Sequence, residues 1–211
     1  GFFFWSFNLR TLYFFMACAL IFLCKDDCMS VESEEDVIAL KRVGSVVHKA
    51  IHSMFAAMEA GMTTMDLEVI GAEILQRYGA RSAPKVCYGY PYASMISVNE
   101  EVAHGEPNQR ILCEGDLVNI DVSAELEGYF ADSGYSMPVG ESNAKANQLC
   151  RAGKKALQGA MAASRHGKPI RDVEIAVRKV AQQYGYSIIE NLVGHGTGRH
   201  LHEEPANVPS W

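Results

Sequence analysis

The stretch VNIDVSAELEGYFADS, residues 118–133, predicts a β-hairpin that carries one aspartate on each strand. Polar and apolar residues alternate along the first strand, so Asn119, Asp121 and Ser123 share one face. A turn within ELEG would place Asp121 directly opposite Asp132, with their Cβ atoms about 5 Å apart. Two ionised carboxylates at that separation repel each other unless a proton or a cation lies between them. The stretch therefore predicts a cation site, with two aspartates on a solvated strand face as the alternative.

Histidines in two glycine-containing loops strengthen the prediction of a cation site. His195 and His202 lie in GHGTGRHLHEEP, and His104 lies in NEEVAHGEP. Glycine lets the backbone approach a ligand closely, and a neutral imidazole is a good ligand for first-row metals. Two divalent ions about 3.5–4 Å apart would satisfy both aspartates and activate a bridging water. By contrast, His48 and His52 lie one turn apart on a predicted helix and are interpreted as its solvated face.

The composition is that of a globular protein and argues against a nucleic-acid-binding one. The 211 residues suit one domain, and 48% of them are hydrophobic and 21% charged. The net charge of −6 argues against nucleic-acid binding, which needs clustered lysine and arginine. The six cysteines are dispersed and form no CxxC pair. We therefore expect reduced thiols and a cytoplasmic protein.

Residues 1–28 differ in composition from the rest of the chain. They contain an uncharged run of 14 residues, 11–24, which is short for a membrane span and closer to a signal-peptide core. No basic start or A-x-A cleavage site accompanies this run, and Met29 opens a polar segment. Three interpretations remain: a membrane anchor, a signal, or upstream sequence ahead of a start at Met29. We favour the third, because nothing downstream is typical of a secreted protein, and expect the domain to span 29–211.

The predicted helices and strands follow an order that occurs twice. A first helix begins at a capping box formed by Ser33 and Asp36, a second spans 65–78, and strands follow in ASMISVNEEVAHG and the hairpin. Further helices are predicted over 142–165 and 170–184, followed by a strand in YSIIENLV.

An internal similarity accompanies this order. GMTTMDLEVIGAEILQRYG begins at Gly61 and GKPIRDVEIAVRKVAQQYG begins at Gly167, and six identical residues lie 106 positions apart in the two segments. The regular offset predicts two related halves. The alternative is that two unrelated amphipathic helices share a common pattern. A counterpart of Asp121 would lie 106 residues later, beyond Trp211, so we expect the second half to be incomplete.

NEEVAHGEP, GDLVNIDVSAELEGYFAD and GHGTGRHLHEEP, in this order and spacing, resemble the type I methionine aminopeptidases. The resemblance covers residues 29–208. It implies an α+β pita-bread fold, in which two pseudo-symmetric halves form a curved antiparallel sheet covered by helices. It also implies the removal of the initiator methionine from nascent proteins and peptides by a metalloaminopeptidase with two divalent ions. Co, Mn, Fe and Zn are the candidate metals.

The same resemblance implies roles for individual residues. Asp121, Asp132 and His195 would be metal ligands, with Asp132 shared between the two ions. His104 and His202 would bind the substrate and stabilise the developing tetrahedral intermediate through hydrogen bonds.

The methionine pocket and the partners follow from the resemblance as well. Tyr90, in YGYP, would line the pocket, whereas Met95 and Leu201 stand where relatives often carry Cys and Phe. The implied partners are peptides and nascent chains with an N-terminal methionine, with the ribosome as a candidate meeting point. We expect a monomer that does not bind nucleic acid directly.

The chain also departs from the family pattern. The family completes its metal site with two glutamates from later strands of the second half, one of them the general base, and these positions lie beyond Trp211. Glu203 and Glu204 belong to the HEEP turn and do not replace them. The resemblance therefore implies a truncated catalytic domain with little activity.

Two other functions remain open from the sequence. A prolidase or Xaa-Pro aminopeptidase would share the fold and the histidine-containing turn, although VAHGEP and HEEP favour the methionine-specific enzymes. A non-catalytic relative would use the fold for binding alone. The aspartate pair argues against this last alternative, because a binding protein has no need of paired buried carboxylates.

Overall fold

The structure, a computed structural model, describes residues 29–141 and 144–210. The interpretations of residues 1–28 lie outside these ranges. Within the ranges, none of the helices is both long and apolar enough to span a membrane.

Two long helices open the described part of the chain. Helix α1 spans Glu34–Ala57 and begins at the predicted capping box, and α2 spans Thr64–Arg77, one residue from the predicted bounds at each end. The predicted capping box forms at α1, since the Ser33 hydroxyl accepts from the Asp36 N–H at 3.1 Å and the Asp36 carboxylate accepts from the Ser33 N–H at 2.9 Å. Thr63 and Asp66 repeat this arrangement at α2.

A four-stranded antiparallel sheet follows, centred on the strand that contains Asp121. This strand, β3 (Leu117–Leu126), pairs along its length with β4 (Tyr129–Pro138). Its other edge pairs with two shorter strands, β1 (Arg81–Ser82) near its end and β2 (Met95–Val98) near its start. A short helix, α3 (Ala83–Tyr88), lies between β1 and β2 and was not predicted from the sequence.

The predicted pairing of Asp121 directly with Asp132 is wrong. The loop of the hairpin consists of Glu127 and Gly128, which have φ values of 54° and 86°, and Asp121 pairs with Gly134. Two consecutive residues with positive φ are the requirement of a type I′ turn, which glycine favours at its second position. This turn shifts the register so that Asp132 pairs with Ser123. The two aspartates are therefore diagonal neighbours on the same face.

The main core fills the space between the sheet and the two N-terminal helices. The apolar face of β3 is fully buried, and it packs in one cluster with residues of α1 and α2, among them Val43, Val47, Met54 and Leu67. The opposite face of β3 is buried too and carries Asn119, Asp121, Ser123 and Glu125. Helices α1 and α2 thus cover the apolar face of the sheet, and the polar face that carries Asp121 points away from them.

The second half consists of two helices and a small hairpin. Helix α4 spans Ala144–Ala163 and α5 spans Arg171–Tyr184, close to the predicted ranges. Strands β5 (Gly194–Gly196) and β6 (Glu203–Val208) pair antiparallel. The strand predicted over 186–193 does not form: these residues, all described, contain only a single bridge position. Tyr186 and Ile188 pack instead against alanines of α4 and α5.

The internal similarity has counterparts in the backbone. Helices α2 and α5 both contain 14 residues. Glycines 106 positions apart adopt positive φ before and after them, with 97° and 75° at Gly61 and Gly167, and 70° and 73° at Gly79 and Gly185. Such conformations favour glycine, which explains why these residues recur. The two N-termini differ, because α5 has no side-chain cap.

Candidate metal centre

Asp121 and Asp132 meet on the buried polar face of the hairpin. Asp121 is 8% exposed, and its Oδ1 has no hydrogen-bond partner. Burial, followed by the negative charge of Asp132, raises the pKa of Asp121 well above its ordinary value. Asp132 accepts a hydrogen bond from the Ser123 hydroxyl at 2.9 Å. Two carboxylates in this arrangement favour a proton or a cation between them.

His195 reaches the same carboxylate from the second half of the chain. Its Nε2 lies 3.3 Å from Asp132 Oδ2, and the side chain is 2% exposed. Its Nδ1 lies 3.0 Å from the carbonyl oxygen of Gly196, which can only accept, so Nδ1 carries the proton. In the neutral ring Nε2 is then a bare acceptor that faces the Asp132 carboxylate without forming a hydrogen bond.

Burial lowers the pKa of His195, but the hydrogen bond that the protonated ring would donate to Asp132, together with nearby backbone carbonyls and the charge of Asp132, outweighs burial and raises the pKa. The ring therefore tends to take up a proton where nothing else separates it from Asp132. A metal ion bound at Nε2 would serve the same purpose, and an Nδ1–H that donates to a carbonyl is the usual support of such a ligand.

These donors fit a first-row divalent ion in kind. Two carboxylates and a neutral imidazole are suitable ligands, and both Asp121 Oδ1 and His195 Nε2 are buried without a partner. Asp132 interacts with Asp121 on one side and with His195 on the other. Among the residues that the structure describes, no group of three or more His, Cys, Asp or Glu side chains lies close enough together to hold a metal ion.

The His202 ring lies beside the His195 ring, tilted by 57°. Their ring centroids are 4.1 Å apart, and His202 Nδ1 lies 2.8 Å from the hydroxyl oxygen of Tyr88. Burial, and then the charge of His195, lowers the pKa of His202 to about 4. The ring is therefore neutral at pH 7 and can donate a hydrogen bond. The sequence did not indicate Tyr88, because it lies on the unpredicted helix α3.

The loop that carries His104 folds back onto β2. His104 has a φ of 56°, and the next residue, Gly105, accepts from the Ile96 N–H at 2.8 Å and donates to the Ser97 hydroxyl at 3.1 Å. A Cβ at Gly105 would lie 2.2 Å from the Ile96 carbonyl oxygen, so only glycine permits this approach. Because β2 pairs with the Asp121 strand, the loop lies beside the site.

Tyr90 and the two expected wall residues occupy different surroundings. The Tyr90 hydroxyl is buried without a partner, and burial together with the charges of Glu106 and Glu68 raises its pKa. Met95 pairs with Asp121 across the sheet. Leu201 is buried in a small cluster with Ala83 and Phe130.

Comparison with known proteins identifies the family of this chain. Residues 39–210 match the description "Metallopeptidase family M24". Methionine aminopeptidase 2 of Bacillus subtilis is 40% identical over 184 residues, which cover 87% of this chain and 74% of that protein. A methionine aminopeptidase of Staphylococcus epidermidis is 41% identical over the same length, covering 73% of that protein.

Solved structures agree with the sequence matches. The crystal structure of methionine aminopeptidase from Thermotoga maritima is similar with a TM-score of 0.83 and 31% identity, covering 87% of this chain and 74% of that one. Prolidase from Pyrococcus furiosus is similar in fold alone, with a TM-score of 0.71 and 19% identity over 86% of this chain and 52% of that one. These similarities confirm the predicted α+β pita-bread fold. The chain belongs to metallopeptidase family M24.

Proposed function

We propose that this chain is a metal-dependent methionine aminopeptidase that hydrolyses the peptide bond after an N-terminal methionine. The observation that carries the proposal is the buried contact of 3.3 Å between His195 Nε2 and Asp132 Oδ2, which favours a proton or a metal ion between the two atoms. Identities of 40% and 41% to methionine aminopeptidases support the substrate class.

The proposed ligands are Asp121, Asp132 and His195, with Asp132 shared by two divalent ions. Co, Mn, Fe and Zn remain the candidates, since each accepts carboxylate and imidazole ligands. Divalent ions held by these residues would polarise the scissile carbonyl and lower the pKa of water.

The neighbouring side chains provide binding and hydrogen bonds. His202 is neutral at pH 7, because its pKa is lowered to about 4, so it can donate to the carbonyl oxygen as negative charge develops there. We assign His104 the same kind of contact from the loop beside β2. Tyr90 contributes an aromatic wall to the methionine pocket, and its buried hydroxyl has no hydrogen-bond partner.

We further propose a cytoplasmic monomer whose partners are peptides and nascent chains with an N-terminal methionine, met in part at the ribosome. The net charge of −6 supports the absence of direct nucleic-acid binding.

The test is the release of methionine from Met-Ala-Ser by the full chain with Co²⁺ or Mn²⁺, compared with cleavage of an Xaa-Pro peptide. Stoichiometric enzyme and mass-spectrometric detection make weak turnover measurable. Methionine release that is lost in Asp132→Asn supports the proposal. Preferential cleavage of the Xaa-Pro peptide would instead support a prolidase-like enzyme. Cleavage of neither peptide, together with no metal binding, would leave a non-catalytic relative as the better description.

A further inference from the structure

We propose that Asp36, Arg199, Ser30 and Glu203 form a turn latch that positions His195 and His202 against Asp132. This inference rests on the proposed function, because the histidines that the latch positions are those assigned to metal and substrate. None of the four side chains is itself assigned to either. They join the N-terminal end of the described chain to residues that are more than 160 positions away.

The first half of the latch is centred on the Asp36 carboxylate, whose residue is 4% exposed. Asp36 Oδ1 accepts from Arg199 Nη2 at 2.8 Å and from the Tyr129 hydroxyl at 2.5 Å. The Arg199 guanidinium also lies over the Tyr129 ring, 4.5 Å from its centroid. The turn between His195 and His202 is thus held to helix α1 and to the first residue of β4.

The second half of the latch is centred on the Glu203 carboxylate, also 4% exposed. Glu203 accepts from the Ser30 N–H at 2.9 Å, from the Ser30 hydroxyl at 2.5 Å and from the His200 N–H at 2.9 Å. The Ser30 hydroxyl oxygen in turn accepts from the Arg199 N–H at 2.7 Å. Both carboxylates therefore fix the same turn, one through a side chain and the other through backbone groups.

The latch acts directly beside the metal-site residues. The Phe130 N–H donates to the Gly198 carbonyl at 2.8 Å. This bond joins β4 to the turn, and Phe130 lies only two residues before Asp132. Glu203 follows His202 directly in the chain, and Arg199 lies four residues after His195. A change in the turn would therefore alter the approach of His195 to Asp132. Supporting groups of this kind fix the orientation of metal ligands.

If the latch contacts only stabilised the fold, their loss would have the same effect as the loss of another ion pair between α1 and the β3–β4 hairpin. Arg42 and Glu127 provide the matched control, since their ion pair of 2.6 Å also joins α1 to the hairpin but does not touch the turn. The comparison is therefore between Arg199→Lys or Glu203→Gln and Arg42→Lys, all in the full chain.

Two readouts separate positioning from stability. The first is the ¹⁵N chemical shifts of the His195 and His202 rings without metal, and the second is the affinity for Co²⁺ from absorption titration. We expect both latch variants to change the ring shifts and to weaken Co²⁺ binding by about 10–100-fold. Arg42→Lys should leave both readouts as in the unmodified chain.

Ring shifts and Co²⁺ affinity that stay unchanged in both latch variants would overturn the latch. Failure of the unmodified chain to bind Co²⁺ would count against the proposed metal ligands, and the ring shifts alone would then decide on the latch. If both latch variants unfold, Tyr129→Phe removes one hydrogen bond to Asp36 and keeps the Arg199 pair. A smaller change of the ring shifts in the same direction supports the latch, and unchanged shifts overturn it.

Discussion

Asp132 connects the other candidate ligands, since burial and then the charge of Asp132 raise the pKa of Asp121, and the Asp132 carboxylate lies 3.3 Å from His195 Nε2. One side chain thus links the two halves of the molecule at a point that is closed to solvent. Buried acceptors without donors are costly, and proteins retain them where a ligand completes the arrangement.

The variant Asp132→Asn should therefore have two consequences. Divalent-metal binding should be lost, because the shared ligand becomes neutral. The pKa of His195 should fall, because burial lowers it and the opposing hydrogen bond and charge of Asp132 are removed. Metal titration and an NMR titration of the His195 ring measure these effects. Glu127→Gln, an exposed change in the hairpin loop, is the control, and equal behaviour of the two variants would contradict the assignment.

Glu203 should make the stability of the fold depend on pH. Burial raises its pKa, but hydrogen bonds from Ser30 and His200 outweigh this and hold the pKa below its ordinary value of 4.5. A lowered pKa stabilises the fold above pH 4.5, and this contribution is lost as the pH falls through the folded-state value. Glu203→Gln should thus reduce the unfolding free energy by about 1.5–3 kcal/mol at pH 7.

Urea unfolding of the unmodified chain and the variant at pH 7, 5 and 3 measures this contribution. The difference between the two proteins should shrink towards pH 3. Glu204→Gln alters the exposed neighbour and should change the unfolding free energy little at any of these pH values. A difference for Glu203→Gln that is constant with pH would show that the ionised carboxylate does not stabilise the fold.

The sequence was sufficient to identify candidate ligands but not their surroundings. Asp121, Asp132 and His195 stand out through alternation in strands and through flanking glycines, which are local signals. The diagonal offset of the two aspartates depends on the turn at Glu127, and Asn, Asp or Gly, rather than Glu, usually signals two positive φ values. The role of Arg199 depends on Asp36, which lies 163 residues away. No local pattern predicts such a contact.

At the scale of secondary-structure elements, helices α1 and α2 pack closely because α2 carries a glycine at the contact. A Cβ on Gly71 would lie 2.7 Å from the Sδ atom of Met54, which is fully buried. Gly44 in α1 has no neighbour within 4 Å of the corresponding position. The two glycines therefore respond in opposite ways to the same substitution.

Gly71→Ala should lower the unfolding free energy by about 1–3 kcal/mol, because the added methyl overfills the contact. Gly44→Ala should raise it by about 0.5–1 kcal/mol, since alanine reduces the entropy that a helix loses on folding. Denaturant unfolding measures both. A stabilising effect of Gly71→Ala would show that Met54 moves aside and that the interhelical contact is loose.

Helices with a strong apolar periodicity were predicted well. Elements whose conformation depends on packing against other elements were not. Helices α1 and α2 have capping boxes, and all four long helices have regular apolar spacing, so their bounds follow largely from local signals. The apolar residues in 186–193 resemble a strand, but they pack against α4 and α5 and form only a single bridge. The short helix α3 has too few residues for periodicity to reveal it.

On the scale of the whole molecule, the two halves differ in how much core they contain. The first half packs α1, α2 and the sheet into one cluster with large side chains such as Met54, Leu67 and Ile120. The helices of the second half meet through small residues, chiefly Ala152, Ala156 and Val177. Because hydrophobic stabilisation follows the apolar area removed from water, the second half is less stabilised by its own packing.

Amide hydrogen exchange should therefore distinguish the two halves. The free energy of opening should be at least about 1.4 kcal/mol lower for amides of α4 and α5 than for those of α1 and β3, which corresponds to a tenfold faster exchange. Val177→Ala, in α5, should accelerate exchange in α4 and α5 only, since these helices open without the first half. Val47→Ala, in α1, should lower protection throughout by about 1–3 kcal/mol, because loss of the main core unfolds the whole chain. Equal protection in both halves, with both variants acting everywhere, would mean that the molecule unfolds as one cooperative unit and that the alanine contacts are as strong as the main core.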